Sequence, residues 1–166
     1  MVLKRLRRTA TWLLVLFAVQ FAFGMTLNLF VTLPKTHPGA TGGEYFSRSA
    51  ASLVWALTFG GGSVLFLHAL LGAVLFVGTL ALFIVSLRRD GRGWRWASGI
   101  ALFFTFAAFF NGMSFVDYNE DFSSAIMAGC WLIAVVALVV ALVRAPAAAS
   151  APASAGAAAA DAAADS

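Results

Sequence analysis

Charge is what this sequence lacks most. Only 11% of its 166 residues are Asp, Glu, Lys or Arg, against about 25% in an ordinary soluble domain. That scarcity excludes a soluble globular domain, a coiled coil and a disordered chain. Cysteine is nearly absent. Cys130 stands alone, which excludes an intramolecular disulfide and a cysteine-built metal site. Within its apolar run it reads as a small hydrophobe. Histidine occurs only as His37 and His68. No H-E-x-x-H, C-x-x-C, G-x-x-x-x-G-K or G-x-S-x-G string is present, so the common metal, redox, nucleotide and hydrolase signatures are missing. Gly60-Gly61-Gly62-Ser63 is glycine-rich, but no lysine follows it. It reads as a hinge or close-packing point, not a phosphate loop.

What remains is apolar. Hydrophobic residues make up 61% and aromatics 14%, and the mean hydropathy is +0.91. These values describe an all-α, polytopic membrane protein in one domain, 1–144, with no second domain. The net charge of +4 does not imply nucleic acid, because the basic residues sit at the ends of apolar segments and form no continuous basic face. The expected partners are the lipid bilayer and other membrane proteins.

Charges cut the chain into uncharged stretches at 9–33, 49–87, 96–116 and 122–143. A bilayer core of about 30 Å takes about 20 helical residues. Spans are therefore expected near 10–33, 63–87, 96–116 and 122–143, as a four-helix transmembrane bundle. The second stretch is too long for one span: its 39 residues would extend about 58 Å as one helix. Residues 45–59 are expected either as an interfacial helix or as an extension that makes the second helix long. A rival reading lets 45–62 cross the membrane as well.

Basic residues near span ends mark the cytoplasmic side. With four spans, nine of the eleven Lys and Arg fall on one side, leaving Lys35 and Arg48 on the other. A fifth span would carry the 88–95 cluster across. The expectation is thus a multi-pass plasma (inner) membrane protein with both termini cytoplasmic. The basic 4–8 segment precedes an apolar stretch too long for a typical leader core, so it is read as a retained first helix. Residues 145–166, mostly Ala with Pro, Ser and Asp, have no bulky group to bury and are expected as a disordered cytoplasmic tail.

Small residues mark packing seams: Gly72, Thr79 and Ser86; Ala101, Thr105, Ala108 and Gly112; Ala134, Ala137 and Ala141. Small side chains let membrane helices approach closely. Polar groups within spans need a partner or a purpose. Asn28, His68 and Asn111 come from three spans, each about 22–28 Å from the inner end at 1.5 Å per residue. Together they suggest a polar layer in the outer part of the bundle, with Asp117 as a carboxylate neighbour for His68. The layer has three readings. It hydrogen-bonds the helices into place; it holds a small ligand, ion or proton with His68 titrating; or His68 ligates a b-type haem, paired with Met25 or Met113. His68 is the one candidate cofactor ligand. A zinc site would have to combine His37, His68, Glu44 and Asp117, a bare minimum, so no metal and no cofactor is assigned.

The string Leu27-Asn28-Leu29-Phe30-Val31-Thr32-Leu33-Pro34, then His37-Pro38-Gly39, with His68 and Asn111-Gly112 further on, resembles a group of small bacterial four-helix integral membrane proteins over residues 10–143. The resemblance implies the fold and a bacterial plasma membrane, and no activity. No nucleophile–base pair or carboxylate cluster lies within a span, so no catalytic residue is assigned. The expected role is a non-enzymatic accessory, partner-binding or small solute-handling protein. The alternative is a membrane redox protein that binds b-type haem or contacts quinone.

Overall fold

The computed structural model describes residues 2–40, 43–88, 92–118 and 121–144. Among them there are five helices and no strand: α1 Val2–Phe30, α2 Tyr45–Leu57, α3 Gly62–Leu87, α4 Arg92–Tyr118 and α5 Asp121–Arg144. All but α2 are long and apolar enough to cross a membrane. Their 24 to 29 residues give lengths of about 36–44 Å. The expectation for 145–166 falls outside the described residues.

The long helices form a ring of neighbours. α1 and α4 each pack against both α3 and α5, while α1 and α4 stand diagonally across the ring, as do α3 and α5, with no close backbone approach among the described residues. On α1 the inward positions are Leu6, Ala10, Leu13, Phe17, Gln20, Gly24 and Leu27, alternating steps of four and three, and every one is buried or half-buried. The outward positions carry large apolar groups such as Trp12, Leu29, Phe103 and Val143, all exposed. A water-soluble protein would bury those side chains; a bilayer solvates them.

Close approach depends on the small residues. Thr79, Ser86, Ala101 and Ala134 have no exposed surface, and Thr105 and Ala141 have little. Ser86 and Ser98 hydroxyls meet at 2.8 Å across α3 and α4. The α1–α3 contact is closed by glycines: a Cβ on Gly78 would stand 2.7 Å from Leu13 Cδ2.

The 39-residue stretch divides at the glycine triplet. α2 is 13 residues long, about 20 Å, too short to cross the core. It lies against α3 and α4. The turn after it uses left-handed backbone at Phe59 (φ 61°) and Gly62 (φ 84°), and Gly60 N–H donates to Trp55 O at 3.0 Å. Gly60 is glycine because any Cβ there would collide with the Trp55 indole. Phe59 is held by stacking on Phe66, with centroids 3.9 Å apart.

Candidate functional site

Two apolar cores occupy the two ends of the ring. One gathers Leu6, Leu13, Phe17, Leu75, Leu82 and Leu138. The other gathers Leu27, Leu33, Ala56, Leu65, Phe115 and Val116 at the α2 end. Between them lies a cavity of about 160 Å³ with lining residues from all five helices. One water needs only about 10–15 Å³ by such a measure, so the space admits a small organic molecule. Its walls are mainly apolar and include Phe17, Met25, Phe109, Met113, Met127 and Trp131.

Asn28, Thr105 and Ser124 also line it, and its buried polar feature is a pair. Gln20 Nε2 on α1 stands 3.2 Å from His68 Nε2 on α3. The amide N–H donates to the imidazole, which places the ring proton on Nδ1. No described group reaches Gln20 Oε1 or His68 Nδ1, and both atoms are buried. The pair therefore leaves one acceptor atom, Gln20 Oε1, and one donor atom, His68 Nδ1, without a partner. Turning the amide over exchanges the roles and still leaves one of each. Glycines bring the two side chains together. A Cβ on Gly24 would come within 3.1 Å of His68 Cε1, and one on Gly72 within 3.4 Å of Gln20 Nε2.

The other expected polar residues are placed differently. Asn28 lines the same cavity, but it is exposed and stands eight residues, about 12 Å, along α1 from Gln20. Asn111 donates to Ala107 O of its own helix at 2.9 Å. Asp117 is buried and its partners are on α2, not α3: Ser49 donates to Oδ2 at 2.8 Å, and Ser52 donates to Oδ1. Asp117 thus fastens α2 to the end of α4. His37 belongs to the same cap. Its Nε2 lies 3.1 Å from Val116 O and its ring stacks on Trp55 with centroids 4.4 Å apart. Arg48 donates to Gly39 O at 3.0 Å and to Ala40 O at 3.2 Å, tying residues 39–40 to α2.

The partner that sequence reasoning missed is Gln20. The signal was available: it is the one polar side chain between Trp12 and Met25, and it sits in the four-three seam of α1. Among the described residues, no three of His, Cys, Asp and Glu come together as a metal-binding group. Compared with known protein families, curated proteins and solved structures, the chain matches none.

Proposed function

We propose that this chain is a four-span bundle of the bacterial plasma membrane, with both termini cytoplasmic and α2 capping the outer end. Its role in this reading is non-enzymatic: it binds or hands on a small lipophilic molecule carrying one polar head. The observation that supports this is the cavity between the two cores, in which the Gln20–His68 pair leaves a buried acceptor atom and a buried donor atom without a partner among the described residues. A mainly apolar pocket with a few convergent polar groups is the ordinary form of a small-molecule site. The apolar body of the ligand would replace lipid contacts with protein contacts, and its head would meet Gln20 and His68. Phe21, Met25 and Asn28 of α1 and Ala128 of α5 line the cavity and are exposed, which supports access from the bilayer between α1 and α5.

Trp131 supplies the test. It lines the cavity and its indole is fixed by donating to Phe17 O at 2.8 Å. Its fluorescence should change saturably when a phenol or an alkylated quinolone is added to the purified protein, and not when a plain alkane is added. Gln20→Leu should weaken the response to the hydroxylated probe by about tenfold, the equivalent of one lost hydrogen bond. A response identical for alkane and phenol would defeat this reading.

The alternative, a redox protein, has one observation in its favour: Met25 and Met113 line the same cavity as His68. A haem ligand would need His68 to release Gln20. An absorbance spectrum after haem-replete expression separates the two readings, since a Soret band that shifts on reduction would establish the redox one.

A further inference from the structure

A second hollow lies at the opposite end of the molecule, where the basic residues gather. It is a groove of about 600 Å³ lined by Phe83 of α3 and by Arg92, Arg95, Trp96, Gly99 and Phe103 of α4, among others. On α4 these positions follow helical spacing, so the arginines stand above an apolar trough. From Arg92 to Phe103 the trough runs eleven residues, about 16 Å along the helix. Gly99 keeps it open: a Cβ there would press on Phe83 Cε2 at 3.3 Å. Both arginines are exposed. The carboxylates whose side chains are described, Glu44 and Asp117, lie at the far end of the molecule. The 88–95 segment holds four arginines and one aspartate, a net +3.

We infer that this groove binds an anionic phospholipid, its phosphodiester headgroup on Arg92 and Arg95 and one acyl chain along Gly99 and Phe103. The occupant follows from the two chemistries that meet in the groove. A trough of phenylalanine and glycine against lipid accepts an acyl chain but does not choose among lipids, because lipid tails are as apolar as the groove. The arginines choose. A guanidinium binds a phosphate oxygen pair in its planar fork, and basic pockets between helices near the cytoplasmic surface are suited to anionic headgroups. A free phosphate would use the arginines and leave the trough idle. Trp96, 69% exposed, stands at the headgroup level where indoles prefer to lie.

Quenching by brominated acyl chains reads the site directly. The full chain is reconstituted in vesicles containing equal fractions of phosphatidylcholine and phosphatidylglycerol, with bromine on one or the other. The Trp96 signal is taken as the difference between wild type and Trp96→Phe. Brominated phosphatidylglycerol should quench it more strongly, and Arg92→Gln and Arg95→Gln should each cut that preference by about fivefold, the weight of one basic residue at a membrane surface. Gly99→Leu should lower quenching by both lipids with the arginines intact; if that variant fails to fold, Gly99→Ala serves. Arg5→Gln with Arg8→Gln, which removes twice the charge of either single variant from the same end, should leave the preference in place. Equal quenching by the two lipids would overturn the inference. So would a preference lost equally in the Arg5/Arg8 variant, which would mean diffuse charge attraction. Competition by millimolar inorganic phosphate in detergent would mean a soluble anion site and would also overturn it.

Discussion

Removing both members of the Gln20–His68 pair should harm the protein less than the two single removals added together. Gln20→Leu leaves an imidazole with two unmet ring nitrogens in an apolar cavity, and His68→Leu leaves an unmet amide. A stranded buried polar group costs about 1–3 kcal/mol, whereas replacing both partners by apolar groups is nearly neutral. Hydrogen bonds between membrane helices are weaker on average, about 0.6 kcal/mol and at most about 1.7. The 3.2 Å separation sits at the long end of hydrogen-bond distances, which favours the lower part of these ranges. Each single substitution should therefore destabilise by about 1–2 kcal/mol. The double variant should lose about 1 kcal/mol less than the sum of the singles. Equilibrium unfolding of the purified protein in mixed micelles, titrated with a denaturing detergent, measures all four corners of the cycle. His68→Gln belongs in the same set and should stay within about 0.5 kcal/mol of wild type, because an amide can supply both a donor and an acceptor. Additivity of the two leucine substitutions within about 0.5 kcal/mol, the margin expected for independent sites, would refute the reasoning.

Three other outcomes are expected. Asp117→Ala strands the Ser49 hydroxyl and leaves Ser52 only its longer contact with Pro38 O at 3.4 Å, and should cost about 1–3 kcal/mol; limited proteolysis within 31–44 should speed up while cleavage elsewhere does not, and unchanged cleavage would count against the clamp. Gly78→Ala meets only the tip of Leu13 and should be mild, whereas Gly78→Ile should push α1 from α3 and cost about 1–3 kcal/mol by overpacking, as read from the same unfolding titration. Single cysteines at Gly42 and Gly91, in a Cys130→Ala background, should label from opposite sides of the membrane in intact cells; labelling of position 91 from outside would sink the proposed orientation.

The four long apolar helices were legible because charge is costly in hydrocarbon and its positions bracket the apolar runs. α3 starts at Gly62 where charge and glycine placed a span start at 63, and both end at 87. α4 is longer than its uncharged stretch, Arg92–Tyr118 against 96–116, because charged and polar residues such as Arg92, Arg95 and Asp117 are accepted in the end turns of a helix. The separation of α2 from α3 was only half visible. The glycine triplet marked the break, but left-handed Phe59 depends on stacking against Phe66, a contact no pattern announces. The polar residues were the least legible. Counting depth along each helix grouped Asn28, His68 and Asn111, yet depth says nothing about which way a side chain faces. Asn111 turns to its own backbone, and Asp117 answers to two serines spaced i, i+3 on a helix whose position was open. Gln20 faces inward by its place in the α1 seam, and that periodicity, not its depth, carries the information.

The four-three spacing on α1 has a consequence for how the helices align. A repeat of seven residues in two turns slightly underwinds a helix and gives it a left-handed supercoil against its neighbours. Such a seam is nearly indifferent to sliding, since a shift of one heptad, about 10 Å, returns apolar positions to apolar positions. Leu13 against Gly78 and Gln20 against Gly72 show that α1 and α3 run in opposite directions. Sliding α1 by one heptad from the pairings of Gln20 with Gly72 and of Gly24 with His68 would bring Gln20 level with Leu65 or Thr79, and His68 level with Phe17 or Val31. Only the observed register sets an amide against an imidazole. A single polar residue in an apolar seam is the usual means of fixing register, at some cost in stability. Gln20 is the polar residue in that position between α1 and α3, level with the cavity that it and His68 line.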